Sequence, residues 1–154
     1  MYLDQEIKSL RANVAHAAIQ QPSISAKGVD WHIYHALLVI SGICYLLKQS
    51  NPKDYQPKFN FLKLVIMTTG IIPRGKARAP KEVVPPEQIS TKDMLALFSK
   101  VKSQLEDLER LDKNHFYSHH MFGDLNLSKS VRFLIIHSRH HLKIISDIIA
   151  ASKP

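Results

Sequence analysis

Apolar residues recur at intervals of three and four positions in four separate segments of this chain, and this spacing predicts four long helices. The predicted helices cover residues 3–20, 31–49, 90–113 and 126–150. A helix with a single apolar face must bury that face against other elements, and no segment has a convincing strand pattern. The sequence therefore predicts an all-α protein, an up-and-down four-helix bundle.

Capping residues set the ends of these helices. Pro22 disfavours helical geometry in the residue before it and ends the first helix. Asp30 is the expected N-cap of the second helix, and Asn126 that of the last. Ser90 and Asp93 together resemble a capping box at the start of the third helix, with Asp in place of the usual Glu.

Two connections are irregular in sequence. Residues 51–89 hold one short predicted helix, 59–69, which ends at Gly70, and then a loop rich in Gly and Pro. A loop of this length in a compact domain is usually functional or wraps the core. Residues 115–125 are predicted to form a second loop. The bundle thus has a long irregular connection between its second and third long helices.

The composition fits one domain spanning residues 1–154, with 45% apolar and 22% charged residues. No uninterrupted apolar run approaches the roughly 20 residues that a membrane span needs, and the acidic N-terminus lacks the basic region of a signal peptide. The single cysteine, Cys44, excludes an intrachain disulfide and lies on an apolar helix face, which is typical of a small core residue. These features predict a cytoplasmic protein without a membrane partner.

The formal net charge is +8, which raises the question of a nucleic-acid partner. Most Lys and Arg residues are scattered over polar helix faces, and no aromatic residues alternate with them to stack on bases. One local cluster comprises Arg74, Lys76, Arg78 and Lys81. We interpret the charge as a solvated basic surface and expect no nucleic-acid partner.

The last helix carries the candidate chemistry. At about 100° per residue, His137 and His141 lie together in the middle of its apolar face, whereas His140 lies beside the charged residues. Buried imidazoles need partners for their nitrogens, and two of them one turn apart can share a metal ion. The alternative is a pair of core histidines bonded to neighbouring helices. The stacked pair favours a metal site.

A third ligand must come from another helix. The candidates on the second helix are His32 and His35, and the helical wheel does not choose between them. His16 lies away from the apolar stripe of the first helix and is expected to be exposed. Three further histidines are predicted to be surface or rim residues of the second loop: His115, His119 and His120.

Three segments give the chain a resemblance to the DinB/YfiT-like superfamily of metalloenzymes, which are four-helix bundles. They are Trp-His-Ile-Tyr-His at 31–35, Ile-Pro-Arg-Gly-Lys-Ala-Arg-Ala-Pro at 72–80, and His-Met-Phe-Gly-Asp-Leu at 120–125 followed by His-Ser-Arg-His-His-Leu at 137–142. The chain is most similar to a branch defined only as a domain of unknown function. It departs from the pattern at Met121, where Pro is usual, and at Lys143-Ile144, where Arg-Gln is usual.

The resemblance covers nearly the whole chain and implies metal ligands at His137 and His141. It favours His35 over His32 as the third ligand. The superfamily includes thiol-dependent transferases and hydrolases that use a divalent metal, but for this branch the resemblance implies no activity. Three histidines leave a fourth position open, which predicts a divalent-metal-dependent enzyme that activates a thiol or a water, of the thiol transferase or hydrolase type. The expected cofactors are a divalent metal, zinc or nickel, and a low-molecular-weight thiol. The alternative is a helical bundle that binds a metal or small molecule without turnover.

Further expectations concern the surroundings of this site. No acidic residue near the ligands is an obvious general base, and Asp124 in the second loop is the weak candidate. Arg74, Lys76 and Arg78 are predicted to form an anion-binding group at the mouth of the site. The apolar arc of the last helix is wider than one bundle core usually needs, which predicts a homodimer.

Overall fold

The computed structural model describes residues 1–75 and 79–153 of the chain, and these residues are mostly helical. The five α-helices are α1 (Asp4–Ala12), α2 (Val29–Gln49), α3 (Phe61–Thr69), α4 (Thr91–Leu108) and α5 (Leu127–Ala151). Two short strands, β1 (Phe116–His119) and β2 (Gly123–Asn126), form an antiparallel hairpin between α4 and α5. The predicted helical character of the chain is confirmed, but the described residues are not all-α, because the hairpin forms a small sheet that was not predicted.

Helix α2 lies at the centre of the protein, where it packs against both α4 and α5. Its predicted apolar stripe is buried completely: Ile33, Leu37, Ile40, Cys44 and Leu47. The predicted stripe of α4 is also buried: Met94, Phe98, Val101, Leu105 and Leu108. Helix α1 packs against α5, and Arg139 of α5 donates a hydrogen bond to the buried carboxylate of Glu6. These contacts form one hydrophobic core between the long helices.

Several predicted helix ends are wrong. Helix α1 ends at Ala12 and is followed by one 3-10 turn, Asn13–His16, rather than continuing to residue 20. The side chain of Asn13 donates to the carbonyl oxygen of Ser9 and so competes for the carbonyls of the last turn. Helix α4 ends at Leu108, about five residues early, because the backbone continues in tight turns at Arg110 and Leu111.

The start of α2 also differs from the prediction. The helix begins at Val29, and its N-cap is Gly28 rather than Asp30. The carboxylate of Asp30 accepts a hydrogen bond from the backbone N–H of Trp31, inside the first turn. By contrast, the side chains of Ser90 and Asn126 cap α4 and α5 as predicted, each accepting from the backbone N–H three residues later.

The short helix in the long connection is confirmed as α3. Asn60 caps its start through the backbone N–H of Lys63. Gly70 ends it with φ of 69°, a left-handed conformation that glycine adopts without steric cost. Among the described long helices, α3 packs mainly against α5 and has few contacts with the others. One face of α3 is therefore left open beside the centre of the protein.

The predicted loop at residues 115–125 is instead the hairpin. His119 pairs with Gly123, so three residues connect the strands, and Gly123 has φ of 69°. A three-residue connection with a left-handed glycine after it is a common hairpin geometry. The glycine and the aromatic pair Phe116-Tyr117 are the sequence signals that could have revealed it.

Helix α2 is long and apolar enough to cross a membrane by length and composition alone. Within the protein, 61% of its most apolar window is buried. Its buried residues include His32 and His35, which make hydrogen bonds to other parts of the chain. Burial by neighbouring elements accounts for the hydropathy of α2 in this fold.

Candidate metal centre

Three imidazoles from two helices meet at one point. His35 comes from α2, and His137 and His141 come from consecutive turns of α5. One ring nitrogen of each lies within 4.8 Å of the others. The ring centroids are 4.7 Å apart for His35 and His141, and 4.6 Å apart for His137 and His141. This three-histidine group could hold a metal ion. It contains His137 and His141, which helical geometry predicted, and His35, which the family resemblance favoured over His32.

The ring of His35 is oriented by its surroundings. Its Nδ1–H donates to the carbonyl oxygen of Val83 at 2.8 Å, and Trp31, one turn earlier on α2, stacks on the ring at 4.8 Å. Because a carbonyl can only accept, Nδ1 carries the proton and Nε2 keeps its lone pair in the neutral ring. A ligand histidine is usually held in this way, with its second nitrogen bonded to a carbonyl or carboxylate.

His141 is bonded to the other histidine candidate of α2. Its Nδ1 lies 2.9 Å from Nδ1 of His32, and Nε2 of His32 lies 3.0 Å from the hydroxyl of Ser25. If His141 uses Nε2 as a ligand, its Nδ1–H donates to His32, and the Nε2–H of His32 donates to Ser25. His32 thus lies behind His141, which separates the roles of His32 and His35 that the helical wheel left open.

His137 has an unpaired buried nitrogen. Its Nδ1 is buried and has no hydrogen-bond partner among the described residues. Leaving such a nitrogen unpaired costs free energy, and few buried polar groups in proteins remain so. An ion bound by the three histidines fits this chemistry, since imidazole nitrogens are common ligands of divalent transition metals.

Burial keeps all three rings neutral, which is the form that binds a metal. Desolvation lowers the pKa of His137 and His141 well below 6.5, and the neighbouring histidines lower both pKa values further. Desolvation also lowers the pKa of His35, although the bond to Val83 partly offsets it. The pKa of His32 falls to about 4, again mainly because the ring is buried.

A cleft of about 570 Å³ opens in front of the three histidines. Its polar wall comes from Trp31, His35, Tyr117 and the histidines of α5 and the hairpin. Its other walls are mostly apolar and come from α2, α3, the connection before α4, the hairpin and α5: Val39, Ile43, Leu46, Leu62, Ile66, Ile72, Val83, Met121, Phe122 and Phe133. A cleft of this size accepts a small organic molecule.

The hairpin contributes a residue that sequence reasoning placed at the surface. His119 is buried, stacks on Phe122 at 4.2 Å, and meets the edge of Phe133 one turn before His137. Its Nδ1 accepts the backbone N–H of Met121. Burial lowers its pKa to about 4. Because the hairpin was predicted as a loop, the alternation that turns His119 inward was not visible.

The remaining histidines are distributed around the protein. His16 is exposed, as predicted. His115 is half-buried, and its Nδ1–H donates to the carbonyl oxygen of Leu47 near the end of α2. His120 is exposed, and His140 is half-buried, and both line the cleft without joining the three-histidine group. The wheel therefore separated His140 from His137 and His141 correctly.

The acidic candidate of the sequence does not face the cleft. The carboxylate of Asp124 accepts hydrogen bonds from the hydroxyl of Ser118 and the backbone N–H of Gln56. Among the residues that line the cleft, in the described part of the chain, the one carboxylate is that of Glu82. Glu82 precedes Val83, whose carbonyl holds His35. Its position depends on the irregular connection, which sequence periodicity does not describe.

The predicted anion-binding group is described only in part. Arg74 donates to the carboxylate of Asp147 on α5 at 2.7 Å and does not line the cleft. Lys76 and Arg78 lie outside the described residues. The geometry thus gives Arg74 an ion pair on the protein surface, with both side chains about 40% exposed.

No protein-family model, curated protein or solved structure matches this chain. The site itself consists of three imidazoles at one end of a mostly apolar cleft.

Proposed function

We propose that this chain is a divalent-metal-dependent enzyme of the DinB/YfiT-like type, in which His35, His137 and His141 hold the metal. The observation that carries the proposal is the meeting of three imidazoles at an open cleft, with His35 and His141 buried and His137 half-buried. Structural metal sites are usually closed by four protein ligands, whereas three histidines leave a position for a reacting molecule.

The chemistry follows from that open position. A divalent ion held by His35, His137 and His141 would lower the pKa of a bound thiol or water and so would supply a nucleophile at neutral pH. The reaction is then a thiol transfer or a hydrolysis. Zinc or nickel is the proposed metal, since imidazole ligands suit both, and a low-molecular-weight thiol is the proposed second substrate.

The residues around the ligands have separate roles in this proposal. Val83 and His32 bond the outer nitrogens of His35 and His141 and keep the inner nitrogens free of protons. Glu82, in the wall of the cleft, is the carboxylate available to accept or return a proton. The apolar walls exclude water from the electrophile.

A non-catalytic bundle that binds a metal or small molecule is the second candidate. The observation that favours it is the solvent exposure of Glu82, the one carboxylate among the described residues that line the cleft. A carboxylate that is not positioned against the reacting atoms contributes little to proton transfer.

The experiment that tests the proposal begins with protein purified without a nickel column. Elemental analysis should find close to one divalent ion per chain. The metal-loaded protein should turn over either a panel of thiols with an electrophile or a panel of activated esters. His141→Ala should abolish turnover, and His140→Ala, a matched change one residue away, should keep it. If the protein binds metal but turns over neither panel, the result would favour the second candidate, a non-catalytic binding bundle.

Three further expectations belong to this proposal. The up-and-down bundle would consist of α1, α2, α4 and α5, which pack around one core. The protein would act in the cytoplasm. It would also form a homodimer through α3 and the segment just before it, where Phe59 is 84% exposed and Phe61 and Leu64 of α3 are 70% and 52% exposed. Light scattering that shows a monomer at tens of micromolar would argue against the dimer.

A further inference from the structure

The cleft extends far beyond the three histidines, and its length follows α2. Val39, Gly42, Ile43 and Leu46 continue the cleft wall that His35 begins. Leu46 lies eleven residues after His35, which corresponds to roughly 16 Å along the helix axis. A site that bound only a metal, a water and a small thiol would not need this length.

The far part of the cleft is apolar. Helix α2 supplies the side chains named above, α3 supplies Leu62 and Ile66, and the hairpin supplies Met121 and Phe122. Leu46, Leu62 and Met121 remain 40–45% exposed, so a ligand that covers them removes apolar surface from water. This end of the cleft can bind a hydrocarbon chain.

The scarcity of charged side chains in the described cleft wall fits a ligand that is uncharged over most of its length. The chain has 21 Lys and Arg residues, yet none of them lines the cleft among the described residues. The single charged lining residue there is Glu82. Polar groups are concentrated at the histidine end, where they can fix one head group. A ligand with charges distributed along its length has no partners in the described wall.

Gly42 shapes the middle of the cleft. A methyl group added at this position would meet no atom within 4 Å among the described residues outside its own helix backbone. Gly42 lies inside α2, where glycine is less favourable than alanine by roughly 1 kcal/mol. The missing side chain leaves room in the cleft at this point, despite the cost to the helix.

We propose that the cleft binds an amphiphile with one head group that coordinates metal and one unbranched apolar chain of about ten carbons. The head group lies at His35, His137 and His141, and the chain runs along α2 past Gly42 toward Leu46. The inference deepens the proposed function and rests on it for the head group. The binding of the chain depends on the apolar wall alone.

The first experiment measures affinity against chain length. n-Alkyl hydroxamic acids from two to twelve carbons are titrated calorimetrically into the zinc-loaded protein. Affinity should rise about threefold to fourfold per methylene, as expected for buried CH₂ groups, and level off near ten carbons. An affinity that stays constant with chain length would overturn the proposal.

Two substitutions locate the chain. Gly42→Phe should fill the cleft, lower the affinity of the ten-carbon probe at least thirtyfold and leave the two-carbon probe and the zinc content unchanged. Gly42→Ala should bind both probes within threefold of wild type. Ser99→Phe adds the same ring on the exposed surface of α4 and should change neither affinity. If Gly42→Phe binds the ten-carbon probe like wild type, the chain does not follow this path.

A second readout separates this inference from the proposed function. Trp31 is the one tryptophan of the chain and lines the cleft, so its fluorescence reports occupancy without metal. n-Alkanols, which lack a metal-binding head, should bind the metal-free protein with the same dependence on length. If zinc fails to bind but this dependence persists and Gly42→Phe removes it, the proposed function falls and the chain site stands.

Discussion

The two ends of the cleft are built from different kinds of structure. At the histidine end, every ligand candidate lies on a long helix, and His35 and His141 each have a hydrogen-bonded partner behind them. At the apolar end, half of the wall belongs to α3 and the hairpin, and Leu46 and Leu62 are partly exposed. The long helices thus position the three histidines, and α3 and the hairpin enclose the apolar end of the cleft.

The largest effect is expected where the comparison is sharpest, at the pair on α5. His137→Ala and His141→Ala should each lose the metal, because two imidazoles do not make a stable site for a divalent transition metal. Elemental analysis after dialysis measures the metal content. His140→Ala is the matched control and should keep close to one ion per chain. Full metal retention in His141→Ala would remove the proposed site.

The second prediction distinguishes a ligand from the residue behind it on α2. His35→Ala should abolish metal binding, whereas His32→Ala should weaken it by about 10- to 100-fold, as is usual for partners of ligand histidines. Competition with a chelator measures the affinities. His32→Asn should recover part of the loss, because its amide oxygen can accept the Nδ1–H of His141.

The opposite result would assign the ligand to His32. In that case His35→Ala would keep the metal, His32→Ala would lose it, and the ring orientations at the histidine end would differ from those described here.

The same contrast explains what the sequence predicted and what it missed. His137 and His141 are one turn apart on a helix, so their common face follows from helical geometry alone. The choice of His35 came from the family resemblance. Helical geometry could not make that choice, because the bond that orients His35 comes from Val83, in the irregular connection. His119 and Glu82 were missed because a hairpin and an irregular segment place them, and neither has a helical period. The predicted helix ends near Asn13 and Asp30 were wrong, because local side-chain hydrogen bonds determine where these helices end and begin.

The third prediction tests how the hairpin wall is held. His119 has a pKa of about 4 in the folded protein because it is buried, against 6.5 for the free side chain. Below pH 6.5 the unfolded chain gains a proton at this site that the folded protein does not, so stability falls as pH falls toward 4. At pH 5 the titration of this one residue should lower the free energy of unfolding by about 2 kcal/mol relative to pH 8.

Urea unfolding of the metal-free protein at pH 8 and pH 5 measures this effect. His119→Asn retains an acceptor for the N–H of Met121 but does not titrate. Its free energy of unfolding should therefore fall between pH 8 and pH 5 by about 2 kcal/mol less than that of wild type. Metal-free wild type is the reference, since the other buried histidines titrate equally in both proteins. An identical loss in the two proteins would show that His119 is accessible to protons in the folded state.

The smallest effect is expected at Arg74, outside both ends of the cleft. The sequence predicted that Arg74, Lys76 and Arg78 bind an anion, and changing all three to Ser tests that prediction. Arg74 itself is paired with Asp147 at the surface, where such an ion pair contributes about 0.2–1 kcal/mol and salt weakens it. Arg74→Ser should therefore lower the free energy of unfolding by less than about 1 kcal/mol, and less again in 1 M salt.

Asp147→Asn gives the decisive comparison for the anion role. It releases Arg74 from its partner and leaves the guanidinium in place. If the paired Arg74 takes no part in ligand binding, calorimetry with an anionic thiol should give affinities within about twofold for wild type and Arg74→Ser, since a screened surface charge contributes little. If Arg74 does bind the anion, Asp147→Asn should bind it more tightly than wild type, because the competing carboxylate is gone. Only that second pattern would show that Arg74 and the basic loop take part in binding the anion, and that the binding site reaches from the histidine end of the cleft to the surface of α5.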